Sequence, residues 1–190
     1  MAENDDKVVS IIEDEDFFTK MISVIGKTTE ADVADRLRQE KKTVGVAESL
    51  TGGLISAALT NTPGSSEYFI GGIVCYSNRS KVMDVGVSGS LIAAHGPVSR
   101  EVAGAMAEGI KKKLRVDIGL SATGVAGPST VSPPRPVGLT YIGLCSDKGT
   151  EVKELQLYGS RDEIRKKAAQ AALGILWFHL GGEEPVFSLK

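Results

Sequence analysis

The chain has 190 residues, 42% of them hydrophobic and 24% charged, which suits one globular domain with a tail and enough apolar material for a core. Lys and Arg number 22 against 24 Asp and Glu, a formal charge of −2, so no general positive field draws it to nucleic acid. No apolar run approaches the ~18 residues that cross a bilayer, and the first residues, MAENDDKVV, lack a signal-peptide core, so the expected location is the cytoplasm with no membrane partner.

Residues 1–28 read as an acidic extension, with Glu13 to Asp16 between two short apolar runs, and residues 183–190 read as a tail around a domain at 29–182. Thr29 is a candidate N-cap with Asp32 three residues on, and Val33 and Leu37 share one side of a short helix ending near Glu40. The β-branched run 43–47 predicts a strand, followed by a turn and a helix from Gly52 to Thr60, which Pro63-Gly64-Ser65-Ser66 breaks. A second strand-like run, 69–76, ends in a polar turn at Ser77-Asn78.

A helix is expected over 99–114, with Ser99 as N-cap, Glu101 in the first turn, and Lys111 to Lys113 at the end, a charge order that suits the helix dipole and a solvated terminus. An apolar run at 116–122, a Gly/Pro-rich loop at 124–136, and two strand-like runs at 137–146 and 151–158 around Asp147-Lys148-Gly149 follow, the last pair as an antiparallel hairpin. The final helix opens with a capping box, Ser160 to Glu163, and runs through Ile164, Ala168, Ala171, Leu173 and Ile175 to about Leu180. The fold class is α/β: a three-layer α/β/α sandwich with a mixed, mostly parallel sheet. Cys75 and Cys145 have neither metal nor redox spacing and are expected to be buried, reduced thiols.

The chemistry concentrates in Ala47-Glu48-Ser49-Leu50-Thr51-Gly52-Gly53, where a strand gives way to a helix. Ligands of open α/β sheets gather at such strand ends, where free N–H groups of the helix can hold an anion. Ser49 and Thr51 either supply reactive hydroxyls or cap the helix. A serine nucleophile needs a base. His95 and His179 show no acidic orienting partner in the sequence and read as structural, and no ligand spacing points to a metal. Lys81, after the second strand, either is an exposed helix lysine or sits at the same sheet edge as Ser49, where apolar walls would make it a base. The glycine-rich Thr123-Gly124-Val125-Ala126-Gly127-Pro128 offers backbone donors to an oxyanion or a phosphate. Arg161 and Arg165, one turn apart, either hold a phosphate or cover a helix face.

Three motifs in order, AESLTGG at 47–53, YSNRSK at 76–81 and TGVAGP at 123–128, resemble the CinA C-terminal domain, or nicotinamide-nucleotide amidase, family. PGSSEYF, HGPVS, PVG and GSRDEIR extend the resemblance over about residues 30–180. It implies hydrolysis of the carboxamide of nicotinamide mononucleotide to nicotinate mononucleotide and ammonia, with no cofactor or metal. It also implies Ser49 as nucleophile, Lys81 as base and Tyr76 in the proton network. Thr51, Gly52, Gly53, Asn78, Thr123, Gly124 and Gly127 would shape the pocket for the pyridine mononucleotide, and Arg161 would take its phosphate. A homo-oligomer is expected on the same ground. The chain departs from the family at Leu50, where cysteine is common, and over 129–135, where prolines replace an acidic, glycine-rich stretch. A catalytically silent nucleotide-binding or adaptor domain, or an amidase for another small amide, is the alternative.

Overall fold

A computed structural model of the protein describes residues 30–129 and 135–182. The acidic extension, the C-terminal tail, Thr29 and most of the divergent loop therefore lie outside the described residues. A five-stranded sheet in the order β2-β1-β3-β4-β5 carries the fold. Strands β1 (Val44–Glu48), β2 (Phe69–Val74) and β3 (Ile118–Gly124) pair in parallel, while β4 (Leu139–Ser146) and β5 (Gly149–Gln156) pair antiparallel through a two-residue turn. Four of the five strands thus run one way and only β4 opposes them. The central strands are buried along their length, as strands covered on both faces must be.

Helices α1 (Glu30–Gln39), α2 (Leu54–Thr60) and α6 (Arg161–His179) cover one face, packing Val33, Leu37, Ile55 and Leu173 on Val44, Val46 and Leu120. Helices α3 (Asn78–Val85), α4 (Gly89–His95) and α5 (Arg100–Leu114) cover the other, where Val85, Ile92, Val102 and Ile110 meet Ala47 and Cys75. Among the described residues no helix is long and apolar enough to cross a membrane.

Most expected elements are present, but the polar turn at Ser77-Asn78 is the start of a helix. Ser77 is an N-cap accepting from Ser80 N–H, and Gly86 closes α3 in the left-handed conformation. Neither α3 nor α4 is expected from the apolar pattern, because α3 buries only Lys81 and Val85, and α4 only Ile92. Helix α2 starts at Leu54 rather than Gly52, because Gly52 (φ 59°) and Gly53 (φ 101°) turn the chain through a region that favours glycine. The Lys111 to Lys113 cluster is not uniformly solvated: Lys111 turns back to donate to Asp117 O at 2.7 Å. The capping box at Ser160 and Glu163 forms as expected.

Candidate active site

The register sets the site. Glu48 at the end of β1 stands level with Val74 of β2 and Ala122 of β3, so Ser49 and Tyr76, just past the ends of β1 and β2, come out beside Thr123 near the carboxyl end of β3. Side chains alternate across a strand. Glu48 consequently points to the α2 face, and Ser49 to the face of α3, where Lys81 waits.

Lys81 is only 2% exposed, although its type is rarely buried. Its Nζ lies 2.9 Å from Ser49 Oγ and donates to Cys75 O at 3.0 Å and Tyr76 O at 3.4 Å. Burial disfavours the ammonium form, so the lysine is held below its ordinary value. No ion pair with a carboxylate offsets this among the described residues. The Cys75 thiol is pushed up by the same burial, and Cys75 and Cys145 are both free and buried.

A cavity of about 170 Å³ opens on the pair, with Ser49, Tyr76, Asn78, Lys81, Thr123, Gly124, Gly127 and Arg161 in its wall, joined by Leu50, Val98 and Ala126. Eight of the eleven residues expected at the site are therefore brought together. Thr51, Gly52 and Gly53 are not in that wall. They form the turn behind Ser49, where Arg165 donates to Leu50 O at 3.1 Å and Thr51 O at 3.0 Å. Arg165 clamps this turn from α6.

The helix N-terminus expected to be free for an anion is already filled. The buried Glu48 carboxylate accepts from the N–H groups of Gly53 (2.8 Å), Ile55 (3.2 Å) and Ser56 (2.9 Å), and from Ser56 Oγ at 2.6 Å. An anionic side chain is favoured at these unpaired donors. Glu48 is the position behind the Ser49 turn that the sequence reading passed over. Its signal was a carboxylate four residues before a Gly-Gly turn and a helix without a side-chain N-cap.

Tyr76 does not reach Lys81 through its hydroxyl. That group instead accepts from Arg161 Nη2 at 3.1 Å, while Arg161 Nη1 donates to Gly127 O. Thr123 Oγ1 donates to Pro97 O at 2.9 Å. The N–H groups of Ser49 and Val125 are engaged by Ala122 O and Leu139 O, both at 2.9 Å. The histidines do have acidic neighbours after all: His95 Nδ1 is 3.5 Å from Glu101, and His179 Nδ1 3.6 Å from Glu151, each supplied by a separate element. Neither histidine is in the cavity wall. Among the described residues, no three His, Cys, Asp or Glu side chains cluster as metal ligands would.

The fold and site define an α/β domain with a buried serine-lysine pair at the switch edge of a mixed sheet. Its residues 26–179 match the family model described as the CinA C-terminal domain, and the chain belongs to that family. A CinA-like protein of Dictyoglomus thermophilum is 46% identical over 152 residues, 80% of this chain and 37% of that protein. The competence/damage inducible protein CihA of Agrobacterium tumefaciens superposes with a TM-score of 0.73 at 33% identity, covering 85% of this chain and 96% of that one. Competence damage-inducible protein A of Klebsiella pneumoniae gives 0.78 at 28% identity, with 82% and 96% covered. The chain spans only 30% to 41% of the length of the curated relatives it matches.

Proposed function

We propose that this domain is a metal-independent amidase that hydrolyses the carboxamide of a pyridine mononucleotide, with Ser49 as nucleophile and Lys81 as base. The contact of Ser49 Oγ with a desolvated Lys81 carries the reading. A neutral amine has two N–H groups and one lone pair. Cys75 O and Tyr76 O can only accept, so they take the two N–H groups and leave the lone pair for the Ser49 proton. A lysine buried only for structure would be better replaced by an apolar side chain.

In the proposed cycle Lys81 removes the Ser49 proton as Oγ bonds to the amide carbon, and the carbonyl pair moves onto oxygen. Since the Ser49 and Val125 N–H groups are engaged, donors for this oxyanion come from Leu50, Ala126 or Gly127, which are in the wall. The Lys81 ammonium passes its proton to the departing nitrogen, and ammonia leaves an ester on Ser49. Water, deprotonated by Lys81, then attacks the ester, which releases the acid and returns a proton to Ser49.

Hydroxylamine partitioning tests the covalent step. Wild type turning over nicotinamide mononucleotide in the presence of hydroxylamine should yield the hydroxamate as well as the acid, and Ser49→Ala should yield neither. Ammonia release with no hydroxamate at any hydroxylamine concentration would argue for direct attack by water instead.

A further inference from the structure

We propose that a second, larger pocket beside the catalytic cavity receives the phosphomonoester end of the substrate, with Arg135 as its principal donor and Arg79 and Arg100 adding charge. This rests on the mononucleotide reading above and assigns its phosphate away from Arg161.

Volume comes first. Pockets that enclose ligands of this size hold about 300–1,000 Å³, and the catalytic cavity, at about 170 Å³, is too small for more than the ring bearing the amide and part of a sugar. The neighbouring pocket, at about 860 Å³, falls within that range and shares Asn78 and Pro97 with the cavity wall. The two pockets therefore adjoin at Asn78 and Pro97, and a substrate whose amide faces Ser49 would extend past Asn78 into the larger one.

Charge comes second. Arg79, Arg100 and Arg135 line the larger pocket with Glu101 and Glu154, leaving one positive charge in excess (three minus two) on a chain whose net charge is −2. Both carboxylates are also engaged, Glu101 beside His95 and Glu154 by the Tyr141 hydroxyl. None of the three arginines forms an ion pair with a carboxylate among the described residues. Arg79 Nε meets only Met83 Sδ at 3.3 Å, and Arg100 Nη1 donates to Val152 O at 2.6 Å.

Arg135 is the least satisfied of them. Its Nη2 reaches His95 O at a long 3.3 Å, and its buried Nε has no hydrogen-bond partner among the described residues. A buried guanidinium N–H without an acceptor is costly, and the planar fork fits two oxygens of one phosphate. Arg161 has two donors already committed to Gly127 O and Tyr76 OH, so it serves to hold the cavity wall.

The test is titration calorimetry of the Ser49→Ala protein with ribose 5-phosphate, alone and with Arg135→Gln, Arg135→Lys or Arg161→Gln added, each checked for an unchanged circular dichroism spectrum. Arg135→Gln should weaken binding at least tenfold and Arg135→Lys by less, with Arg161→Gln close to the parent. In the wild-type background, Arg135→Gln should also shrink the preference, in kcat/KM, for the mononucleotide over its unphosphorylated nucleoside. Equal affinity with Arg135→Gln, loss with Arg161→Gln alone, or no binding at millimolar ribose 5-phosphate would each overturn the assignment. Arg135-dependent binding in the Ser49→Ala protein, beside a folded wild type that releases no ammonia, would sink the amidase reading and leave the pocket standing.

Discussion

Replacing Lys81 with methionine separates what this side chain costs the fold from what it gives the chemistry. Methionine fills a similar volume in a site that is 2% exposed, and it has no proton acceptor. A positioned general base is worth about 10²–10⁴ in rate, or about 3–5 kcal/mol of barrier. Among the described wall residues no histidine or carboxylate could substitute, so the loss should fall at the upper end. Lys81→Arg should lose as much, because a guanidinium stays charged and cannot accept the proton.

Stability should move the other way. In the folded state Lys81 lies below the 10.5 of an exposed lysine, because burial penalises its charge. Between the folded value and 10.5 the unfolded chain binds more protons, so stability rises with pH through that window. The contribution is complete above 10.5 and is lost as pH falls to the folded value. Lys81→Met removes this loss. It should therefore unfold at higher urea than wild type at pH 7, with the gap closing towards pH 10, each tenfold change in proton affinity being worth about 1.4 kcal/mol. Ammonia release from nicotinamide mononucleotide between pH 6 and 10, beside urea unfolding over the same range, reads both effects. Wild-type kcat/KM should climb as Lys81 deprotonates. Turnover within tenfold of wild type in Lys81→Arg, or a stability gap that does not change with pH, would refute the reasoning.

Glu48→Gln turns an amide NH₂ towards donors that now share four hydrogen bonds with a carboxylate, and should cost about 2–4 kcal/mol in urea unfolding while also lowering turnover through the displaced Ser49 turn. An unchanged midpoint would show that water replaces the carboxylate without penalty. Gly109→Ala places a Cβ 1.7 Å from Val85 O where α5 crosses the end of α3, so overpacking of about 1–3 kcal/mol at its upper end outweighs the roughly 1 kcal/mol that alanine gains in a helix. A raised melting temperature would contradict this. Asp117 is held below the usual carboxylate value by the Thr43 N–H and hydroxyl, at 2.8 and 2.7 Å. The stability it confers is present above its ordinary 3.8 and is lost as pH falls through its folded value, so Asp117→Asn should flatten the acid limb of a melting-temperature profile.

The elements legible in the sequence were those with a strong local signature: a β-branched run for β1, an apolar run for β3, the Ser160 capping box for α6, and the Asp147-Lys148-Gly149 turn between β4 and β5. The meeting of Ser49 with Lys81, 32 positions apart, depended on β2 lying parallel to β1, which periodicity alone does not fix. Helix α3 carries Lys81 into the core on an element with almost no apolar stripe, so the feature that makes the lysine useful also hid its helix. Glu48 was overlooked because sequence rules look for caps one residue before a helix, whereas this carboxylate reaches the start of α2 from the end of a strand. Arg161 and Arg165 were read as a pair, yet they split between two tasks, one bracing the cavity wall and the other the nucleophile turn. The difference lies in the neighbouring loops they face.

The central claim is tested most directly by measuring ammonia and nicotinate mononucleotide released from nicotinamide mononucleotide by wild type, Ser49→Ala and Lys81→Met, all shown to be folded. The account predicts stoichiometric release of both products by wild type and loss of nearly all turnover in both variants. An inert folded wild type, or a Ser49→Ala protein as active as wild type, would contradict it.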